Sequence, residues 1–120
     1  MVKKTLVIGA SDNPARYSFL AVRQLAGHGQ PVVALGRREG QVDGVPIVTE
    51  RPTDPDFDTV TLYVNPTHQQ DYYDYIISLH PKRILFNPGA ENPAFAEMAA
   101  ASGIQPVEAC TLVLLSTGQY

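Results

Sequence analysis

Short, unbroken apolar runs alternate along this chain with stretches patterned for helices, and that alternation constrains the fold more than any other feature. Thr5-Leu6-Val7-Ile8-Gly9 is β-branched and continuous, as expected of a strand buried on both faces. Pro31-Val32-Val33-Ala34-Leu35, Thr59-Val60-Thr61-Leu62-Tyr63-Val64 and Arg83-Ile84-Leu85-Phe86 read the same way, and Ile104 to Ala109 gives a last short strand. Gly44-Val45-Pro46-Ile47-Val48 is weaker, because a proline without a ladder donor demotes it to an edge strand or extended segment. Between these runs, Tyr17 to Gly29 places Phe19, Val22, Leu25 and Ala26 on one side of a helix, with Gly27 or Gly29 ending it. Thr67 to His80 repeats Tyr72, Ile76 and Leu79 at helical spacing until Pro81 stops it. Asn92-Pro93 supplies a cap and a first-turn proline for a helix running to Ser102. Thr111 to Ser116 suits a strand or a short helix by periodicity; a helix closed by Gly118 is the favoured reading.

Strands alternating with helices imply a parallel sheet covered on both faces. Right-handed crossovers then put the first strand at the centre. The expected architecture is one three-layer α/β domain over residues 1–120, with strand order 3-2-1-4-5 or close to it. Twelve acidic against nine basic residues leave a net charge of −3, which argues against a nucleic-acid footprint. The single cysteine excludes an internal disulfide framework. No apolar run approaches the roughly 18 residues that span a bilayer, and the N-terminal run is too short for a leader, so a cytoplasmic location is expected.

In parallel sheets ligands bind outside the carboxyl ends of the strands, so the loops that follow each strand carry the functional question. The first is Gly9-Ala10-Ser11-Asp12-Asn13-Pro14-Ala15-Arg16-Tyr17-Ser18. Gly9 permits a tight turn, Ser11, Asn13 and Ser18 offer short polar groups, and the next helix presents free N–H groups to an anion. It lacks the three glycines of a dinucleotide fingerprint, and no Gly-Lys-Ser/Thr of a P-loop occurs. The second loop, Gly36-Arg37-Arg38, carries paired guanidinium groups where a site for unphosphorylated ribose would carry a carboxylate. Two arginines suit a phosphorylated ribose, the 3′-phosphate of coenzyme A or the 2′-phosphate of NADP. The Asn65-Pro66 corner, with Tyr63 nearby, is suited to one wall of an adenine slot. Asn87-Pro88-Gly89 makes a sharp turn before a helix that points its N-terminus at the same crevice.

Taken in order, Gly9-Ala10-Ser11 with Tyr17-Ser18, Gly36-Arg37-Arg38, Gly44-Val45-Pro46-Ile47, Asn65-Pro66 and Asn87-Pro88-Gly89-Ala90-Glu91 resemble the CoA-binding domain family. These are small Rossmann-like domains similar to the N-terminal part of the succinyl-CoA synthetase alpha subunit. The resemblance covers nearly the whole chain. It implies a five- or six-stranded parallel sheet that binds coenzyme A, or an acyl-CoA, through its 3′-phospho-ADP half. It implies that Gly9, Ser11 and Asn13 approach phosphate, that Arg37 or Arg38 meets the nucleotide phosphates, and that Tyr63, Asn65 and Pro66 line the nucleotide slot. Ala10, Tyr17, Ser18, Gly36, Asn87, Pro88 and Gly89 complete the candidate cofactor-binding set. Asp12 departs from a phosphate loop, since a carboxylate there repels phosphate unless it points away or caps the helix.

The sequence shows no nucleophile–base–orienter set, so a binding module is expected rather than an enzyme. His28, His68 and His80 have no metal-ligand spacing, and only His68 falls near the strand-end face. Cys110 lies among apolar neighbours without an adjacent base. Two other classes stay open: a small NADP-dependent oxidoreductase, and a subunit that packs against a protein partner, or another copy of itself, without binding nucleotide.

Overall fold

The computed structural model describes residues 2–120. One seven-stranded sheet runs in the order β3-β4-β2-β1-β5-β6-β7. Its strands are β1 (Thr5–Ile8), β2 (Val32–Leu35), β3 (Gly40–Val42), β4 (Val45–Val48), β5 (Thr59–Leu62), β6 (Arg83–Phe86) and β7 (Gln105–Glu108). The helices are α1 (Tyr17–Gly27), α2 (Pro66–Gln69), α3 (Tyr73–Leu79), α4 (Pro93–Ala101) and α5 (Thr111–Ser116). Every pair of neighbouring strands is parallel except β3 and β4. The fold is Rossmann-like, and no described helix is long and apolar enough to cross a membrane.

Alternation within each central strand builds two cores. Leu6, Ile8, Val60, Leu62, Ile84 and Phe86 face Ile76 of α3 and Phe95 and Ala99 of α4. Val7, Ala34 and Ile47 face Phe19, Val22 and Leu25 of α1 and Leu115 of α5. Both faces of the central strands are therefore closed to water, which is why their sequences are apolar without interruption. Phe95 stacks on Tyr73 at 4.3 Å and meets Phe86 edge-on at 5.9 Å, locking α4 to the sheet.

Four expectations need correction. The third strong run, Thr59–Leu62, does not lie beyond β2 but beside β1 on its other flank. The place beyond β2 is taken by a hairpin, so the expected order 3-2-1-4-5 becomes β3-β4-β2-β1-β5-β6-β7, with an antiparallel pair. Asp43 and Gly44 form the hairpin turn with φ of +48° and +86°, the two positive angles a type I′ connection requires. Gly44–Val48 is accordingly not an edge. β4 sits between β2 and β3, and its pairing with β2 starts at Ile47, one residue past Pro46, so the missing N–H interrupts no rung there. Residues 67–80 form no continuous helix either: a 3₁₀ turn, Gln70–Tyr72, separates α2 from α3. The break falls between two inward anchors, Gln69 and Ile76, both fully buried.

At the opposite end of the strands, Tyr120 folds back over the sheet. Its hydroxyl bonds the Thr5 hydroxyl, and Arg83 Nη2 donates to its carbonyl at 3.0 Å. Tyr75 donates its hydroxyl to the Pro52 carbonyl at 2.6 Å, and burial pushes its phenol up to about 12. A phenol that ionises near pH 10 when unfolded and higher when folded stabilises the fold fully below pH 10 and loses that contribution as pH rises towards 12. Tyr75→Phe is therefore expected to flatten the alkaline decline in stability between those limits. With solvent screening discounted, the effect is about 1 kcal/mol, read from urea midpoints at stepped pH.

Candidate functional site

Register sets the site. Ile8, Leu35, Leu62 and Phe86 occupy one row across β2, β1, β5 and β6. The residues that follow them, Gly9, Gly36, Tyr63 and Asn87, therefore leave the sheet side by side. Together their loops enclose a cleft of about 580 Å³, within the range of small-molecule sites.

Glycine is demanded at two of these exits. Gly9 has φ of +91°, and a Cβ there would lie 2.7 Å from the Tyr63 carbonyl oxygen. A Cβ on Gly36 would lie 2.5 Å from the Ala10 carbonyl oxygen and 2.8 Å from Ile47 Cγ2. The first three loops thus touch backbone to backbone, and the floor of the cleft is main chain.

From the first loop, Gly9, Ala10, Ser11, Tyr17 and Ser18 line the cleft. Asn13 does not: it is engaged in the turn itself, its N–H bonding Ser11 Oγ at 3.1 Å and its Oδ1 accepting from Ala15 N at 3.0 Å. Arg16 stands at the N-cap of α1 without a side-chain cap bond; the Phe19 N–H donates to its carbonyl at 3.1 Å, and the N–H groups of Tyr17 and Ser18 have no partner among the described residues. Asp12 lines the cleft, yet its carboxylate lies against Gly40, where a Cβ would approach Oδ2 to 2.7 Å.

From the second loop, Gly36, Arg37 and Arg38 line the cleft, and both arginines are exposed. Arg37 Nη2 reaches His68 Nδ1 on α2 at 3.1 Å. Guanidinium only donates, so Nδ1 is the acceptor. From the third loop come Tyr63, Val64 and Asn65. Asn65 caps α2, accepting from His68 N at 3.0 Å, while Pro66 occupies the first helical turn and stands outside the lining. The Tyr63 hydroxyl is buried with no hydrogen-bond partner among the described residues, and burial pushes its phenol upward.

From the fourth loop, Pro88, Gly89 and Ala90 line the cleft, whereas Asn87 lies beneath it, buried. Asn87 Nδ2 donates to Thr61 Oγ1 at 2.7 Å and to the Leu62 carbonyl at 2.9 Å, and its Oδ1 accepts from Thr111 N at 2.9 Å. Its amide is fully engaged in fastening α5 to the sheet. Glu91 Oε1 accepts from Gly89 N at 2.8 Å and so holds its own turn.

Beyond Asp12, five lining residues lie outside the set expected from sequence: Arg16, Val64, His68, Tyr72 and Ala90. The signal for Arg16 and His68 is position alone: each lies in, or just before, the first turn of a helix that follows a strand. Arg16, Arg37 and Arg38 with a single carboxylate, Asp12, make this rim cationic in a chain whose net charge is −3.

Comparison with known proteins agrees with this fold. No curated protein matches the chain. Among solved structures, an uncharacterised protein is 48% identical, with a TM-score of 0.97 over 100% of this chain and 99% of its own. A Thermus thermophilus protein is 20% identical with a TM-score of 0.86, covering 99% of this chain and 91% of its own. A hypothetical protein from Pyrococcus horikoshii is 24% identical, also at 0.86, covering 97% and 83%. The latter two likenesses establish the fold alone. A family model described as CoA binding domain matches residues 3–116, and the chain therefore belongs to the CoA-binding domain family.

Proposed function

We propose that the protein binds coenzyme A, or an acyl-CoA, through its 3′-phospho-ADP half in the strand-end cleft, as a stand-alone binding module. The observation that carries this reading is the cationic rim: three arginines and an uncapped helix N-terminus converge on one cleft of an acidic chain. An anion gains from both features, because guanidinium pairs with phosphate oxygens and open N–H groups complement negative charge. The pyrophosphate fits best against Ser11, Tyr17 and Ser18 at the start of α1. Arg37 and Arg38 are left for the 3′-phosphate, and Tyr63 and Asn65 for the base. Asp12 is no obstacle, since its carboxylate lies towards Gly40.

A thermal-shift series with coenzyme A, acetyl-CoA, NADP and ADP tests the reading. A ligand at about 100 times its dissociation constant adds about 2.7 kcal/mol, on the order of 10 °C for a domain of this size. Coenzyme A is expected to give the largest shift. A shift with NADP alone favours the oxidoreductase. No shift with any of the four leaves the interaction subunit.

A further inference from the structure

Gln69 is polar, yet it is 0% exposed and lies outside the cleft. Its Nε2 donates to the Val64 carbonyl at 2.9 Å and to the Ala90 carbonyl at 2.7 Å. Its Oε1 accepts from Asn92 Nδ2 at 2.9 Å, and the same Asn92 nitrogen meets the Tyr73 hydroxyl at 2.8 Å. Asn92 Oδ1 in turn caps α4 by accepting from Phe95 N at 3.0 Å. One amide thus spans the loops that follow β5 and β6, and the two carbonyls it holds belong to residues that line the cleft on both of those loops.

The bond to Val64 has a consequence for the cleft. There is no cis peptide among the described residues, so the Asn65 N–H points opposite to the Val64 carbonyl. That carbonyl is turned inward to buried Gln69. The Asn65 N–H is therefore turned outward, in a segment whose residues line the cleft, and it has no hydrogen-bond partner among the described residues.

We infer that Gln69 is a positioning residue for ligand binding: its side-chain amide draws the Val64 and Ala90 carbonyls inward and leaves the Asn65 N–H facing the cleft as a donor to the nucleotide. No other side chain of this size supplies the pattern. Glutamate offers no donor when ionised, and leucine offers neither donor nor acceptor. The nucleotide part of this inference rests on the coenzyme A reading above.

The experiment combines amide NMR with calorimetry, using coenzyme A as probe. In the wild type, the Asn65 amide resonance is expected to move on addition of coenzyme A and its hydrogen exchange to slow. Gln69→Leu is expected to weaken coenzyme A roughly 2- to 12-fold, the worth of one donor. Its free-state Asn65 amide is expected to be displaced, with the rest of the sheet unchanged. Gln69→Glu is expected to show a similar loss at neutral pH that narrows relative to wild type as the pH is lowered towards 5, where a protonated carboxyl regains one donor. A purely structural role moves stability and leaves the affinity of the folded fraction, and its pH profile, as in wild type. That result, or an Asn65 amide that is blind to bound coenzyme A, overturns the inference even if both variants fold poorly. Wild type that binds no coenzyme A overturns the ligand reading instead, and removes the donor role with it.

Discussion

Replacing Arg37 and Arg38 together by alanine is expected to weaken coenzyme A roughly 10- to 150-fold and to leave dephospho-CoA nearly unchanged, because a charge-assisted contact to phosphate contributes about 1.5–3 kcal/mol. The two ligands differ only in the 3′-phosphate, so the comparison isolates that group. The fold is expected to survive, since both side chains are exposed and lie in a turn after β2 that carries no core packing. The two arginines are not equivalent. Arg37 is already oriented by His68, while Arg38 has no side-chain hydrogen bond or ion pair among the described residues. A guanidinium held in place loses less freedom on binding, so Arg37→Ala is expected to account for most of the loss. Calorimetry on the double and single variants with both ligands decides this. Equal losses for the two ligands would move the arginines to the pyrophosphate, and no loss for either would make them a solvated turn.

The central sheet was legible because burial on both faces leaves no room for polar residues. Leu6, Val7 and Ile8 face two different cores, so neither face of β1 tolerates polarity. β3 was missed for the complementary reason. Gly40-Gln41-Val42 buries only one residue, Val42, and has little strand propensity of its own. The hairpin signal was nonetheless present, since Asp43-Gly44 between Val42 and Val45 is a strong two-residue turn sequence. Pro46 does not exclude β4 from the sheet interior, because a proline just before the start of a pairing costs no hydrogen bond in it. The split between α2 and α3 was invisible for another reason. Tyr72, Ile76 and Leu79 keep helical spacing through the 3₁₀ turn, and the last residue of α2, Gln69, is tied to the loop after β6 by a tertiary bond that no local pattern shows.

The cleft itself was located by topology more than by motif. Any parallel sheet presents its strand-end loops together, so Gly9, Gly36 and Tyr63 follow from placing the strands correctly. Side-chain direction was not readable in the same way. Asn13, Pro66 and Asn87 sit in the right loops, but each is engaged in its own turn, cap or clamp and stands outside the lining. Asp12 shows the converse: a carboxylate that looked hostile to phosphate is accommodated by the missing side chain of Gly40, on a strand absent from the sequence reading.

Asn87→Leu is expected to lower stability by about 3–4 kcal/mol while leaving the coenzyme A affinity of the folded protein within about 2-fold of wild type. Leucine nearly matches the asparagine in shape but cannot bond the Leu62 carbonyl, the Thr111 N–H or Thr61 Oγ1, all gathered on one amide at 2.7–2.9 Å. Each buried group left without a partner costs about 1–3 kcal/mol, and the surviving Thr61–Thr111 hydroxyl bond at 2.8 Å recovers part of the total. Against a typical stability of about 5–15 kcal/mol the variant remains folded at 25 °C, with a melting temperature lower by on the order of 15 °C. The damage is expected at α5, whose first turn is released from the sheet, and it is read as faster hydrogen exchange at Thr111 and the residues after it. The cleft is lined from above this clamp by Pro88, Gly89 and Ala90, so its walls keep their positions through Gln69. A variant that keeps its melting temperature but loses coenzyme A would instead make Asn87 a ligand contact, and would mean that its amide turns upward out of the clamp when the ligand arrives.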